Sequence, residues 1–388
     1  MIRNISVGID IGSSMTRVVV GEFLKGEKNP RIIGEGIFET EGMRHGYVVN
    51  SALVTNSVRN AVLLAEKSCN IKIKRAFLSL SGTTLQSVVG SGGTIISKAD
   101  GEVTNLDINK ALEDCENNLN LNNRKIIHIY QMSFRLDGKE VLGRLEGLRG
   151  TKLEAKAIFV TYSATHLDDL LGAVAEAEVE TIDIVASPIA LSNIILSEKQ
   201  KMVGVALVNI GDQTTSLSVF EDGLLISINT FSVGSSNITN DIALGFKIPL
   251  QEAEDLKLGN IAPEFSKKKL EEIIEARLCD IFESIENSLK KIKRAELLPA
   301  GIVFVGGGAN TPMLIELSKS ILKLPSCIGT TEIFGNSKTR LRDPSWFTVL
   351  GLLSISKSSG NYGRENSFKN IFREVKNSIK SSVKQLMP

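Results

Sequence analysis

Two segments of the chain share one pattern, and this pattern constrains the fold more than any other feature. Residues 7–23 read VGIDIGSSMTRVVVGEF and residues 206–223 read ALVNIGDQTTSLSVFEDG, so that Ile11-Gly12 and Ile210-Gly211 stand in register. β-Branched residues favour strands, whereas Gly and Ser favour the turn between them. The repeat therefore predicts an α/β chain with two similar halves and a cleft between them.

Length and composition narrow the class of protein. The chain has 388 residues, of which 42% are hydrophobic and 23% charged, and its net charge is +1. This predicts at least two globular domains and argues against a chain-wide nucleic-acid binder. The cysteines are too scattered for a metal site, and we expect reduced thiols in a cytosolic protein. The three histidines, His45, His128 and His166, are interpreted as structural. We expect neither a signal peptide nor a membrane-spanning helix.

Composition also changes along the chain. Residues 82–161 are polar and strand-rich, with a helix predicted near Ile108–Leu119, and they interrupt the first half as an inserted module. Residues 235–298 are mostly helical and charged. Residues 356–367 are rich in Ser, Gly and Asn, which predicts a flexible linker.

The glycine-containing loops suggest a nucleotide. Small residues expose backbone N–H groups, and several aimed at one point can hold an anion. Two such loops, one from each half, could hold the phosphates, and Asp10 could hold Mg²⁺ through water. The third loop, Gly306–Gly308, follows an apolar strand and leaves room for a base or sugar. No loop has the GKS or GKT of a Walker A motif.

The order of these loops resembles the superfamily of actin, heat-shock chaperone ATPases and sugar kinases. Within it, the chain resembles the FtsA family of bacterial cell-division proteins over essentially its whole length. The matching stretches are GIDIGSSMTRVVVGE at 8–22, SLSG at 79–82, VGSSNITNDIALGF at 233–246, AEDLK at 253–257, EARLCDIF at 275–282, VFVGGGANTPML at 303–314 and TVLGLL at 348–353.

The resemblance implies an actin-like (ribonuclease H-like) two-lobed α/β fold with an inserted subdomain and a C-terminal amphipathic helix. The implied boundaries are 1–81 with 162–200 for the first lobe, 82–161 for the inserted subdomain, 201–355 for the second lobe including a helical subdomain at about 235–298, 356–367 for the linker and 368–388 for the helix.

The resemblance also implies that ATP and Mg²⁺ lie in the cleft. The residues that match the motif are Asp10 for Mg²⁺, Gly12, Ser13, Ser14, Gly211, Asp212, Gln213 and Thr214 for phosphates, Gly234, Ser235 and Asn237 along the nucleotide, Glu254 and Lys257 near the ribose, and Gly306, Gly307 and Gly308 for the adenosine.

Two departures from the family pattern bear on hydrolysis. Many relatives read Asp-Ile-Gly-Gly-Gly-Thr in the second loop, where this chain has Asn209, Asp212 and Gln213. Actin-like ATPases also commonly place Glu or Gln before the proline of a connecting helix to orient water, where this chain has Ser187. Loss of an orienting base slows chemistry by about 10²–10⁴-fold. We expect hydrolysis to be slow or absent, with ATP acting as a conformational and assembly ligand.

The C-terminal tail has an amphipathic pattern at about 100° per residue. Five cations and Glu374 give residues 368–388 a net charge of +4. This pattern is typical of a helix in an anionic lipid interface, and a helix docked on its own domain is the alternative. The apolar stripe comprises Phe368, Ile371, Phe372, Val375, Ile379, Val383 and Leu386, and the cations beside it are Lys369, Arg373, Lys376, Lys380 and Lys384.

Arg277 matches a family position on the surface that receives the acidic and apolar C-terminal peptide of FtsZ. Its guanidinium suits carboxylate recognition. The alternative is an ion pair with Asp280 at i,i+3 spacing.

The leading hypothesis is an ATP-binding division protein that self-associates into filaments, contacts other division proteins, and anchors FtsZ filaments to the cytoplasmic face of the inner membrane at the septum. Two alternatives remain open. A sugar-type kinase would show sugar-dependent ATP turnover, and a pilus-assembly ATPase adaptor would have a tail without lipid affinity.

Overall fold

The computed structural model describes residues 4–24, 27, 29–141, 143–261, 266–331 and 339–362. The strands in chain order are β1 (Asn4–Ile11), β2 (Met15–Phe23), β3 (Arg31–Glu39), β4 (Met43–Arg44), β5 (Tyr47–Val48), β6 (Arg75–Leu80), β7 (Gln86–Ile95), β8 (Arg124–Leu136), β9 (Lys139–Val141), β10 (Lys152–Ser163), β11 (Glu180–Ala186), β12 (Val205–Ile210), β13 (Thr215–Glu221), β14 (Leu224–Phe231), β15 (Ile302–Val305) and β16 (Ser326–Ile328). The helices are α1 (Ser51–Cys69), α2 (Asn105–Asn117), α3 (Ala164–Glu176), α4 (Ser187–Ile195), α5 (Glu198–Val203), α6 (Ser235–Phe246), α7 (Leu250–Leu258), α8 (Lys267–Lys291), α9 (Leu314–Leu322) and α10 (Phe347–Tyr362).

Two five-stranded sheets have the same topology. The first sheet has the order β3-β2-β1-β6-β11, and the second has the order β14-β13-β12-β15-β16. In each, the first three strands are antiparallel neighbours and the other two run parallel to the central strand. Neighbouring apolar strands in sequence pair through short turns, which explains the antiparallel half of each sheet. The repeat predicted from the sequence and the two-lobed α/β fold are confirmed.

The registers place both small-residue loops at the same end of the two sheets. Strands β1 and β2 pair up to Ile11 opposite Thr16, and β12 and β13 pair up to Ile210 opposite Thr215. Both threonines are fully buried. Each hydroxyl is anchored beneath its loop, since Thr16 Oγ1 lies 2.8 Å from Thr40 Oγ1 and Thr215 Oγ1 donates to the Val233 carbonyl at 2.8 Å. A buried threonine hydroxyl therefore fixes the strand at the base of each loop.

The inserted module, residues 82–161, has a core of its own. Its sheet has the order β7-β10-β8-β9, and helix α2 packs against β7 and β10. Leu153, Phe159, Ala111 and Cys115 are buried in that core. The helix begins earlier than predicted because Thr104 and Asp107 form a capping box.

Helix α10 corrects two predictions. It packs on α4 and β1, and a Cβ on Gly351 would lie 2.2 Å from the Ala190 carbonyl oxygen. The end of the 201–355 segment therefore lies against the first sheet, not the second. The helix also extends to Tyr362, so residues 356–362 are helical where a flexible linker was predicted. A helix that is already nucleated by buried residues propagates through unfavourable composition at low cost.

The predicted membrane segment, residues 368–388, and the rest of the linker lie outside the described residues. Among the helices that the structure describes, none combines the length and the apolar character needed to cross a membrane.

Candidate functional site

The first loop, Gly12–Ser14, follows the end of β1, where Asp10 is the next-to-last residue of the strand. Gly12 N donates to the Met15 carbonyl at 3.1 Å, and Thr40 N donates to the Ser14 carbonyl at 2.9 Å. The Asp10 side chain is buried and accepts a short hydrogen bond from Ser79 Oγ. Burial raises the pKa of Asp10, and the bond from Ser79 and the charge of Arg17 oppose that rise. A buried carboxylate beside a loop of N–H groups fits a metal–phosphate ligand.

Arg17 belongs to this site although sequence reasoning missed it. It pairs with Asp10 in the β1–β2 register, and its guanidinium lies 5.7 Å from the Trp346 ring centroid. Arg340 stacks on the same ring at 5.4 Å. Burial lowers the pKa of Arg17, while Asp10 and Asp343 oppose that change. Arg17 Nε is buried and has no acceptor within the described part of the chain, so it can donate to an anion. Its position opposite Asp10 was the available sequence signal.

The second loop, Gly211–Thr214, repeats the geometry of the first. Gly211 N donates to the Thr214 carbonyl at 2.8 Å. Helix α6 begins against this loop, with Ser235 N donating to the Gly211 carbonyl at 2.9 Å. A Cβ on Gly234 would lie 2.3 Å from the Asp212 carbonyl oxygen, so only glycine permits this approach. Asn237 Oδ1 accepts from Gly234 N and caps the helix. The predicted residues of both segments therefore come together.

Glu254 and Lys257 join this cluster from helix α7. The Lys257 ammonium is buried and donates to Glu254 Oε2 at 2.7 Å and to Thr239 Oγ1 at 3.0 Å. Burial raises the pKa of Asp212, Lys257 opposes that rise, and Glu254 reinforces it. Lys257 thus supplies the positive charge that offsets the extra acid of the second loop.

Gln213 makes a contact that the sequence did not predict. Its Oε1 accepts from His45 N at 2.9 Å, and its backbone carbonyl lies 3.1 Å from His45 Nδ1. The side chain predicted to face phosphates is therefore engaged with the first half of the chain. His45 was interpreted as structural, and its hydrogen-bond partner lies 168 residues away.

The three glycines of the third loop, Gly306–Gly308, differ in how much space an added side chain would find. Gly306 has φ +86°, and a Cβ there would lie 2.2 Å from Asn209 Oδ1. A Cβ on Gly308 would lie 2.3 Å from Ile210 Cγ2. The lack of a side chain at these two positions permits close packing on the strand before the second loop. Only Gly307 is open, since its nearest neighbour is Ser345 Cβ at 4.0 Å.

The third loop is also linked, through Asp343, to Arg17 in the first half of the chain. Asn310 Nδ2 donates to Asp343 Oδ2 at 3.3 Å, and Asp343 is one of the acids that act on Arg17. The three loops are thus linked by contacts, and the site that they form contains the unpartnered donor Arg17 Nε, a buried carboxylate and an open glycine. These features fit a magnesium nucleotide. Within the described residues, no three His, Cys, Asp or Glu side chains gather as a metal site.

Ser187 stands at the end of β11, which runs parallel to β6 and thereby to β1. It lies at the sheet edge that also carries Asp10. Its side chain is buried, and Oγ finds no hydrogen-bond partner in the described portion of the chain. A serine hydroxyl is too weak a base to activate water at neutral pH.

Arg277 lies apart from these loops, on helix α8. Its guanidinium forms a bidentate pair with Asp241 at 2.7 and 3.1 Å and a further bond with Asp280 at 3.0 Å. The predicted alternative, an ion pair with Asp280, is present. These residues line a surface groove of about 310 Å³ together with Leu244, Ile273 and Ala276.

Comparisons with known proteins agree with this architecture. The family model described as cell division protein FtsA matches residues 206–351, and the model of the SHS2 domain inserted in FtsA matches residues 82–161. Cell division protein FtsA of Bacillus subtilis is 28% identical over 386 residues, covering 94% of this chain and 86% of that protein. Cell division protein FtsA of Pseudomonas aeruginosa is 27% identical, covering 89% and 88%.

Two solved structures share the fold at low identity. A PilM–PilN type IV pilus biogenesis complex gives a TM-score of 0.65 at 16% identity, covering 90% of this chain and 97% of that chain. MreB5 of Spiroplasma citri bound to ADP gives 0.52 at 13% identity, covering 94% and 99%. The paired sheets identify an actin-like fold, and the family models match both its inserted module and its second half. The chain belongs to the FtsA family of bacterial cell-division proteins.

Proposed function

We propose that this division-septum protein binds Mg·ATP between its two sheets, self-associates, and holds FtsZ filaments at the cytoplasmic face of the membrane. The observation that carries the nucleotide site is the matched pair of small-residue loops at the same end of two sheets with identical topology. Membership of the FtsA family supports the cellular role.

The site residues have distinct tasks in this proposal. The N–H groups of Ser13, Ser14, Asp212, Gln213 and Thr214 face the phosphates, while those of Gly12 and Gly211 close their own loops. Arg17 Nε donates to the phosphates, and Asp10 holds Mg²⁺ through water. Lys257 offsets Asp212 and Glu254, and Gly307 leaves room for the adenosine. Ser235 and Asn237, at the start of α6, line the nucleotide. When bound, the nucleotide supplies the anionic triphosphate that draws both halves together.

Hydrolysis is slow or absent in this proposal. Ser187 stands where an orienting Glu or Gln is expected, and its buried hydroxyl cannot take a proton from water at neutral pH. ATP then shifts the equilibrium between two conformations or assembly states of the protein, because it binds one of them more tightly than the other. Turnover of added sugars with ATP would instead support the kinase alternative.

The membrane part of the proposal rests on the pattern of residues 368–388. Five cations contribute at most about 1 kcal/mol each at an anionic surface, and the apolar stripe adds a comparable amount. A single tail therefore binds weakly. Several tails on one filament bind firmly because each additional contact is intramolecular.

The groove around Arg277 is the proposed site for the FtsZ C-terminal peptide. Leu244 is 77% exposed there, which is unusual for a large apolar residue, and Arg277 presents a cation beside it. Asp241 holds the guanidinium in place from the other side. An acidic and apolar peptide would take the place of Asp280, the more exposed of the two partners.

Co-sedimentation with anionic liposomes tests the membrane proposal most directly. The full chain should pellet and a variant that ends at residue 367 should not, while both bind Mg·ATP equally by calorimetry. Equal pelleting of the two would contradict the tail assignment and favour the pilus-adaptor alternative. Absence of heat at millimolar Mg·ATP would refute the nucleotide site.

A matched pair of charge reversals tests the peptide groove. Arg277→Glu should weaken binding of an FtsZ C-terminal peptide at least about tenfold, because it removes the cation from the groove. Lys290→Glu makes the same charge change on the same helix outside the groove and should leave binding within about twofold. Equal losses in both variants would indicate nonspecific attraction.

A further inference from the structure

The contact between His45 and Gln213 bridges the two halves of the chain at the second loop. His45 N–H donates to Gln213 Oε1, and Nδ1 lies 3.1 Å from the Gln213 backbone oxygen. A carbonyl oxygen can only accept, so Nδ1 carries a proton in this contact. Both the side chain and the backbone of Gln213 are therefore held by one residue of the first half.

His45 lies at the tip of the hairpin formed by β4 and β5. It has φ +49° and is followed by Gly46 with φ +85°. His45 O accepts from Thr83 N at 3.2 Å. A Cβ on Gly46 would lie 2.2 Å from Gly82 Cα, so these two backbones are in direct contact. The hairpin cannot shift without moving residues 82–83.

Residues 82–83 are the first of the inserted module, and the second connection of the module lies against the same hairpin. Tyr162 Oη is 3.0 Å from both the Gly46 and Ser81 carbonyl oxygens. Tyr162 is fully buried. Both connections of the inserted module to the first sheet are thus bonded to the hairpin that holds Gln213.

We propose that His45 is a positioning residue that couples occupancy of the second loop to the orientation of the inserted module. This inference rests on the proposed nucleotide site. A ligand that fixes the second loop strengthens the His45–Gln213 bridge, and the hairpin transmits that constraint through Gly82, Thr83 and Tyr162. By linkage, a partner that fixes the inserted module raises the affinity of the loops for the nucleotide by the same factor.

Amide hydrogen exchange of the full chain, with and without Mg·ATP, tests the coupling. In the unmodified protein, Mg·ATP should slow exchange at residues 12–14 and also slow the Thr83 amide by at least about fivefold. His45→Ala removes only the bond from Nδ1, and Gln213→Ala removes only the bond to Oε1. Each single variant should therefore reduce the slowing at Thr83 and weaken Mg·ATP about five- to tenfold by calorimetry, because roughly one net hydrogen bond is lost. The double variant removes both bonds, so it should abolish the slowing at Thr83 and bind Mg·ATP more weakly than either single variant.

His166→Ala is the matched control. His166 stacks on Tyr47 of the same hairpin, with ring centroids 4.3 Å apart, and lies outside the route to Gln213. It should keep the slowing at Thr83. Undiminished slowing in His45→Ala, or slowing that persists in the double variant, would overturn the coupling. Slowing at residues 12–14 without slowing at Thr83 in the unmodified protein would overturn the coupling alone, and absence of both would overturn the nucleotide site with it.

Discussion

Replacing Lys257 with Met tests the electrostatics of the second loop most stringently. Methionine keeps an unbranched stem of similar length but removes the ammonium. The side chain of Lys257 is only 3% exposed, whereas that of its partner Glu254 is 37% exposed. The variant therefore removes a buried cation and leaves a partly solvated carboxylate, with Asp212 close enough to respond electrostatically.

The expected cost follows from this asymmetry. Breaking a fully buried ion pair costs about 3–5 kcal/mol because the remaining charge is desolvated. Glu254 can regain water, so the loss is closer to that of a charged hydrogen bond, about 1.5–3 kcal/mol. We expect a decrease of about 2 kcal/mol in the free energy of unfolding, which lowers Tm by about 4–8 °C at the size of one lobe.

Thermal unfolding monitored by circular dichroism measures this change. The control is Lys290→Met, which removes an exposed i,i+4 pair with Glu286 and should cost about 0.3–0.5 kcal/mol. The double variant Lys257→Met with Glu254→Gln should recover part of the loss, because it removes the uncompensated carboxylate. A Lys257→Met variant as stable as Lys290→Met, or a double variant less stable than the single, would refute the reasoning.

Three further predictions concern other parts of the molecule. Burial lowers the pKa of His128 to about 4, so as the pH falls from 6.5 towards 4 the imidazole is protonated in the unfolded chain before it is protonated in the folded protein. About 3 kcal/mol of the free energy of unfolding should therefore be lost over that pH range. Urea unfolding should show a smaller loss of stability over the same range in His128→Asn. Trp346 is the single tryptophan and stacks on Arg17, so Mg·ATP should shift its fluorescence, and Arg17→Ala should remove the shift; an unchanged spectrum at saturation would contradict this. Gly306→Ala should lower the free energy of unfolding, measured in urea, by about 2–4 kcal/mol through backbone strain and overpacking. Gly307→Ala should leave that free energy nearly unchanged and should instead weaken the binding of Mg·ATP in calorimetry.

The repeated architecture could be predicted because its signals are local. Alternating and β-branched residues specify strands, and small residues between them specify turns. Consecutive strands joined by short turns pair antiparallel, which yields the same three-stranded unit in each half. Asp10 could be placed at a strand end, and Gly12 and Gly211 in the loops, for the same reason, and the structure has them there.

The missed features depend on contacts between distant residues. Nothing local marks His45 as a partner of Gln213 or shows that Gly306 must be glycine because Asn209 Oδ1 lies beneath it. Residues 356–367 were predicted as a flexible linker because they are rich in Ser, Gly and Asn, yet residues 356–362 form the end of helix α10. Packing of its first turns overrides that preference, as tertiary contacts often override propensity.

The chain's own residue order determined two homologous strand–loop–strand units with small residues in their loops and a polar insertion between them, since these follow from side-chain shape and short-range turn chemistry. The tertiary structure decided which loops come together and which cation offsets the charge of Asp212. It also decided which glycines have free space beside them and at which glycines a side chain would clash with the protein. Those outcomes depend on desolvation and close packing between segments as far apart in the sequence as Arg17 and Trp346, and such energies exist only once the segments are in contact.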